Sequence, residues 1–138
     1  MKRVLFLCTG NSCRSQMAEG WLRHLAGESF AAFSAGTHPA GQNPLAARVM
    51  AEAGVDISGQ ASKGVEVYAG QAFDWVITVC DQARESCPVF PGACQQLHWS
   101  FADPAAVSGS EAEKLPVFRR VRDQIRRRIE QFLEEERR

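Results

Sequence analysis

Short apolar runs along the chain alternate with longer stretches in which every third or fourth residue is apolar. The runs at residues 4–7 and 75–80 have the length and the β-branched or aromatic content of buried strands. Residues 30–35 and 96–99 predict two further strands. The chain therefore begins with a strand and changes repeatedly from a strand pattern to a helix pattern.

The helix pattern occurs three times. The first helix follows the loop after the first strand, and the second begins at Pro44, where Asn43 can cap it and Gly54 can end it. A third helix is predicted from about Leu115 to near the end of the chain. The apolar positions that define the three helices are Met17, Trp21, Leu22 and Leu25; Leu45, Val49, Met50 and Ala53; and Phe118, Val121, Ile125, Ile129 and Phe132.

Alternating strands and helices are typical of the α/β class, in which parallel strands are joined by crossover helices. The sequence predicts an open four-stranded parallel sheet with helices on both faces. Residues 36–43 and 105–114 are predicted to be loops. At 138 residues and 15.2 kDa, with 45% hydrophobic residues, the chain is expected to form a single catalytic domain over residues 1–138.

Charge and cysteine content limit the possible functions. Sixteen basic residues balance sixteen acidic ones, so no global charge favours nucleic acid or a membrane surface, and the arginine-rich stretch 119–128 is interpreted as a solvated helix face. The first apolar run is too short for a signal peptide, and no run of about 20 apolar residues is present. Five cysteines without a secretion signal predict a cytoplasmic protein with catalytic thiols.

The loop after the first strand predicts a site for a tetrahedral oxyanion. Its small residues allow tight turns that direct backbone N–H groups inward, and it leads into a helix N-terminus, which favours both an anion and a thiolate. Cys8 is the predicted nucleophile, Arg14 offers a planar fork for two oxygens, and Ser15 can donate a hydrogen bond to the sulfur. Cys13 is expected to face inward in a structural role. The predicted anion-binding residues are Thr9, Gly10, Asn11, Ser12, Cys13 and Arg14.

A second pair of cysteines follows the third strand. If the strands that carry Cys8 and Cys80 are adjacent, their ends lie about 4.8 Å apart, which predicts that the two thiols are within disulfide range. If residues 81–87 form a helix, Cys80 and Cys87 are about 10.5 Å apart along its axis. A disulfide needs Cα atoms within roughly 7 Å, so we hypothesise that this segment unwinds when it is oxidised.

The Cys-x5-Arg-Ser loop resembles that of the low-molecular-weight tyrosine phosphatases and of the arsenate reductases that share their fold. With Cys80 and Cys87 at these positions, the chain resembles the thioredoxin-linked arsenate reductases over nearly its whole length. This resemblance implies that Cys8 attacks arsenate, that Cys80 attacks the adduct and releases arsenite, and that Cys87 then takes over the disulfide. Residues 98–105 resemble the acid loop of the family, which implies that Asp103 is the proton donor.

Some members of the family hold a monovalent cation beside the loop, and Asn11, Glu19 and Ser34 resemble part of that site. Lys63 lies where an acidic ligand is expected, so we predict that its ammonium takes the place of the cation and that no metal is required. The histidines lack metal-ligand spacing, and neither cysteine pair has the short spacing of a zinc site. Cys94 has no predicted role in the relay.

The resulting prediction is an arsenate reductase without a cofactor. We expect a monomer whose partners are arsenate and thioredoxin or a similar dithiol reductant. A low-molecular-weight phosphatase, in which the extra cysteines protect Cys8 from oxidation, is the first alternative. The tyrosines that follow Asp-Pro in the phosphatase branch are absent here. A redox-gated module that binds an oxyanion or a phosphoprotein is the second alternative.

Overall fold

The computed structural model describes residues 1–81, 83 and 94–137. Its centre is a sheet of four parallel strands in the order β2-β1-β3-β4. This result confirms the predicted open parallel sheet, and it makes neighbours of β1, which ends at Cys8, and β3, which ends two residues before Cys80. The strands are β1 (Lys2–Cys8), β2 (Phe30–Gly36), β3 (Trp75–Thr78) and β4 (Gln95–His98).

Three α-helices pack against one another: α1 (Arg14–Ala26), α2 (Pro44–Glu52) and α3 (Glu111–Glu136). The start of α2 is the predicted one, because the side chain of Asn43 accepts a hydrogen bond from the backbone N–H of Leu45 and Pro44 occupies the first helical position. After α2, Gly54 adopts a left-handed conformation with φ of 84°. Helix α1 begins directly after the loop that follows β1.

Both faces of the sheet are covered. On one face, Phe30 of β2 and Trp75 of β3 pack around Phe132 of α3, with ring centroids 5.2–6.0 Å apart. On the other face, Phe33 contacts Tyr68 and Phe73, and Tyr68 belongs to a 3-10 helix, Val65–Tyr68. The core is therefore divided by the sheet, and the loops at the carboxyl ends of the strands remain available for a site.

The start of the last helix differs from the prediction. Residues 105–114 were expected to be a loop, but they contain part of a 3-10 helix, Pro104–Ala106, and the first turn of α3. A capping box causes the early start, since Ser110 accepts from the backbone of Glu113 and the Glu113 side chain accepts from the backbone of Ser110. Pro116 therefore lies inside the helix instead of near its first position.

None of the helices in the described part of the chain is both long enough and apolar enough to cross a membrane.

Candidate active site

The loop between β1 and α1 forms the floor of a cavity of about 240 Å³. Asn11, in the middle of the loop, has φ of 46°, a left-handed conformation that asparagine tolerates better than most residues. The loop, residues 9–13, enters α1 at Arg14, so the cavity lies at a helix N-terminus, where an anion is favoured. The cavity is lined by Cys8, Thr9, Gly10, Ser12, Cys13, Arg14 and Asp103.

The Cys8 sulfur lies at the bottom of this cavity and has two hydrogen-bond partners. The backbone N–H of Asn11 donates to Sγ at 3.1 Å, and the hydroxyl of Ser15 lies 2.8 Å from it. The side-chain amide of Asn11 donates through Nδ2 to Ser15 Oγ at 2.8 Å, which leaves the hydroxyl hydrogen of Ser15 free to point at the sulfur. Two donors directed at one sulfur stabilise a thiolate, the form of cysteine that attacks electrophiles.

The Asn11 side chain fixes the loop from beneath. Its Nδ2 also donates to Ser34 Oγ at 3.0 Å, and its Oδ1 accepts from the backbone N–H of Lys63 at 2.9 Å. The side chain is fully buried, so these hydrogen bonds are shielded from water. Asn11 thus connects the loop to β2 and to the segment around Lys63, and it holds the Ser15 hydroxyl in place.

A second support comes from the chain that follows β2. Four of its backbone N–H groups donate to carbonyl oxygens of the loop and thereby turn those carbonyls outward. These contacts occupy the loop carbonyls from the side of β2, which fits an anion site formed by backbone N–H groups. The sequence predicts residues 36–43 only as a loop, and no side-chain pattern there indicates this role. The four pairs are Thr37 to Cys8, His38 to Thr9, Ala40 to Gly10 and Asn43 to Ser12, at 2.8–3.2 Å.

Arg14 and Asp103 lie next to each other in the lining of the cavity. Arg14 Nη2 lies 3.7 Å from Asp103 Oδ2, and Arg14 Nη1 donates to the backbone carbonyl of Phe101 at 3.2 Å. The other carboxylate oxygen of Asp103 accepts from the backbone N–H of Ala105 and caps the short 3-10 helix. The predicted anion ligand and the predicted proton donor therefore lie side by side, held by the segment that follows β4.

Cys80 also reaches the loop. The end of β3 lies beside the end of β1, and the buried Cys80 sulfur is 3.3 Å from the hydroxyl of Thr9, the residue after Cys8. The predicted relay residue Cys87 lies outside the described residues. Cys94 directly precedes β4, whose first residue pairs with Trp75 at the start of β3. Cys94 therefore lies at the amino-terminal ends of the strands, about 15–20 Å along the strand direction from Cys80, which follows their carboxyl ends.

Cys13 lies in the loop but differs from Cys8. Burial raises its pKa from 9.0 to about 11, an increase that the hydrogen bond from Ser12 partly offsets. Cys13 is therefore a neutral thiol at physiological pH. Its side chain is only 3% exposed, as expected for a structural residue.

The prediction for Lys63 was wrong in its side-chain contacts. Its ammonium donates to the backbone carbonyl of Ala61, whereas the cation beside Glu19 is the guanidinium of Arg23, which donates to Oε2 at 2.6 Å. The other oxygen of Glu19 accepts from Ser34 Oγ at 2.5 Å. Arg23 lies one helical turn after Glu19, so the local helix geometry provides this ion pair. Within the described ranges, no group of three or more His, Cys, Asp or Glu side chains could hold a metal ion.

Comparison with known proteins agrees with this geometry. The model of the family "low molecular weight phosphotyrosine protein phosphatase" matches residues 3–138. An arsenate reductase from Halalkalibacterium halodurans is 47% identical over 133 residues, or 96% of each chain. A solved structure, "an arsenate reductase in the phosphate binding state", superimposes with a TM-score of 0.77 at 35% identity over 98% of each chain. A thioredoxin-dependent arsenate reductase from Corynebacterium glutamicum gives 0.74 at 30% identity, covering 98% of this chain and 60% of that one.

Proposed function

Because the chain belongs to the low molecular weight phosphotyrosine protein phosphatase family, we propose that its anion loop binds arsenate and that its thiols reduce arsenate to arsenite. The observation that carries this proposal is the second buried thiol at the edge of the loop, with Cys80 Sγ 3.3 Å from Thr9 Oγ1. Hydrolysis of a phosphate ester needs one nucleophile and one acid. A reduction needs two electrons, which a pair of thiols supplies when it forms a disulfide.

In the first step, the Cys8 thiolate attacks the arsenic atom. The inward N–H groups of the loop and the guanidinium of Arg14 bind the arsenate oxygens and stabilise the charge that develops on them. A sulfur–arsenic bond forms and an arsenic–oxygen bond breaks, and Asp103 protonates the departing oxygen. Its place beside Arg14, 3.7 Å from Nη2, puts the acid next to the bound anion.

In the second step, the Cys80 thiolate attacks the Cys8 sulfur. The electron pair of the sulfur–arsenic bond goes to arsenic, which changes from As(V) to As(III) and leaves as arsenite. The two sulfurs are left joined in a Cys8–Cys80 disulfide. Cys8 ends β1 and Cys80 lies two residues after the end of the neighbouring parallel strand β3, so both thiols lie at the carboxyl ends of adjacent strands, which supports this pairing.

In the third step, the Cys87 thiolate attacks the Cys80 sulfur and releases the Cys8 thiolate, so that the disulfide becomes Cys80–Cys87. A dithiol protein of the thioredoxin type then reduces that disulfide and takes up the two-electron oxidation. Such a cycle needs a reducing compartment, so we propose that the protein works in the cytoplasm. We also propose that it is a monomer. Weak hydrolysis of phosphate esters is compatible with the same site, because phosphate has the shape and charge of arsenate.

The proposal is tested by following arsenate-dependent oxidation of NADPH in the presence of thioredoxin and thioredoxin reductase. Wild type should turn over, whereas Cys8→Ser, Cys80→Ser and Cys87→Ser should each abolish multiple turnover. Cys94→Ser is the matched control and should keep the wild-type rate, since Cys94 lies at the amino-terminal ends of the strands, away from the loop. Wild-type inactivity in this assay together with hydrolysis of an aryl phosphate would identify a phosphatase instead.

A further inference from the structure

Gly36, the last residue of β2, lies against the anion loop with no room for a side chain. It pairs with Cys8 in the register of β1 and β2. A Cβ atom added to it would lie 2.5 Å from the carbonyl oxygen of Thr9 and 2.9 Å from the backbone nitrogen of Asn11. Both distances are shorter than van der Waals contact, and both atoms belong to the backbone, which cannot turn aside as a flexible side chain can.

The two atoms that a Cβ would displace are those that shape the site. The Asn11 nitrogen donates to the Cys8 sulfur at 3.1 Å, and the Thr9 carbonyl accepts from the backbone N–H of His38 at 2.8 Å. The first contact stabilises the thiolate, and the second keeps a loop carbonyl turned away from the anion. Any movement of the loop away from Gly36 therefore affects both the nucleophile and the anion site.

The end of β2 is fixed on its other side. The backbone N–H of Gly36 donates to the carbonyl of Lys63 at 2.8 Å, and Gly36 forms a parallel β-bridge with Gly64. Because the strand end is held at these points, an added methyl group is accommodated by displacing the loop and not by withdrawing the strand.

We propose that Gly36 is a positioning residue for the nucleophile, since its missing side chain lets β2 hold the Asn11 N–H on the Cys8 sulfur. The inference deepens the proposed function, on which it rests for the role of Cys8. Among the described glycines, Gly41, Gly54, Gly70 and Gly109 have positive φ, whereas Gly36 does not. Its backbone conformation therefore accepts an alanine, and the effect of the substitution comes from contact with the loop alone.

The test measures the pH dependence of Cys8 alkylation by iodoacetamide, resolved at Cys8 by peptide mass spectrometry, in the reduced full chain. Gly36→Ala should raise the midpoint of alkylation by about one pH unit, as expected for the loss of one hydrogen bond to the charged form. It should also weaken the binding of inorganic phosphate about tenfold. Gly59→Ala is the matched control, because a Cβ there meets nothing within 4 Å, and it should leave both quantities unchanged.

A second variant separates this effect from a general loss of stability. His38→Pro removes the N–H that donates to the Thr9 carbonyl at an exposed position, and it should weaken phosphate binding by a smaller factor than Gly36→Ala does. Circular dichroism and thermal unfolding identify the folded variants. An unchanged midpoint and phosphate affinity in folded Gly36→Ala would overturn the inference; if that variant does not fold, an unchanged phosphate affinity in His38→Pro would do so.

Neither measurement requires turnover of arsenate, so the two proposals fail separately. A wild type that does not reduce arsenate, combined with the expected shift in Gly36→Ala, removes the proposed function and leaves Gly36 as a positioning residue. An active wild type with no shift in Gly36→Ala removes the role of Gly36 and leaves the proposed function in place.

Discussion

The guanidinium of Arg14 lies 3.7 Å from the carboxylate of Asp103. The proposed anion-binding group and the proposed acid therefore form one ion pair in the lining of the cavity. The Arg14 side chain is 15% exposed and the Asp103 side chain is 43% exposed. We expect an arriving arsenate to compete with Asp103 for the same guanidinium. In the proposed mechanism, this competition frees the carboxyl group at the place where a proton is needed.

Arg14→Lys should lower kcat/KM for arsenate about 100-fold. Lysine keeps the positive charge but loses the planar fork and the hydrogen bond to the Phe101 carbonyl, and a hydrogen bond to a charged group contributes about 1.5–3 kcal/mol. The measurement is steady-state kinetics with thioredoxin as the reductant. Arg48→Lys, on the exposed pair with Glu111, is the control and should leave the kinetics unchanged. Equal values for the two variants would contradict the role of Arg14.

Asp103→Asn should lower kcat by about 100- to 10,000-fold, the usual contribution of a general acid. The asparagine oxygen can still accept from the backbone N–H of Ala105, so the 3-10 helix keeps its cap and the melting temperature should stay near that of wild type. Asp56→Asn is the control, because Asp56 accepts from the backbone N–H of Ser58 outside the site. A wild-type kcat in Asp103→Asn would assign the proton donation to another group.

The stability of the protein should fall between pH 9 and pH 11 because of Cys13. Burial raises its pKa from 9.0 to about 11, so the folded state holds the thiol proton more tightly than the unfolded state does. The stabilisation is complete below pH 9 and is lost as the pH rises through 11, with roughly 1.4 kcal/mol per unit of pKa difference.

This pH dependence is checked by denaturant unfolding at several pH values. In Cys13→Ala, the free energy of unfolding should fall less between pH 9 and pH 11 than it does in wild type, whatever the effect of the substitution on stability at neutral pH. The same slope in both proteins would show that Cys13 ionises as readily in the folded state as in the unfolded state.

Ser110→Ala should lower the free energy of unfolding by about 1 kcal/mol, the usual value for a helix N-cap. The substitution removes the hydroxyl that accepts from the backbone N–H of Glu113 and breaks the capping box. Urea unfolding at neutral pH measures the change. Ser108→Ala, two residues before the cap, is the control, and a loss of equal size there would attribute the effect to the segment instead of to the cap.

The sequence was sufficient for the sheet and for the centre of the site. The run before Cys8 is wholly apolar and the run before Cys80 is apolar except for Thr78, a pattern typical of buried strands of a parallel sheet, and both strands lie at the centre of the observed sheet. Because parallel strands end at one edge, the position of Cys80 near the loop followed from the same pattern.

Other features depend on choices that the local pattern does not determine. Ser110 and Glu113 have the spacing of a capping box, but the helix was predicted to begin only at about Leu115, and the structure has Pro116 inside the helix. The partner of Glu19 depends on which long side chain reaches it, and Arg23 reaches it from the same helix. The N–H groups of residues 37–43 that support the loop carry no signal in the identity of their side chains.

That support has a consequence for the way this protein can change over generations. The carbonyls of the loop are held by main-chain amides, and every amino acid except proline supplies the same donor. Positions such as His38 and Ala40 are thus free to drift in identity while the chemistry beneath them stays constant. Substitutions at these positions can therefore change the outer surface of the protein while the main-chain contacts that hold the loop stay the same.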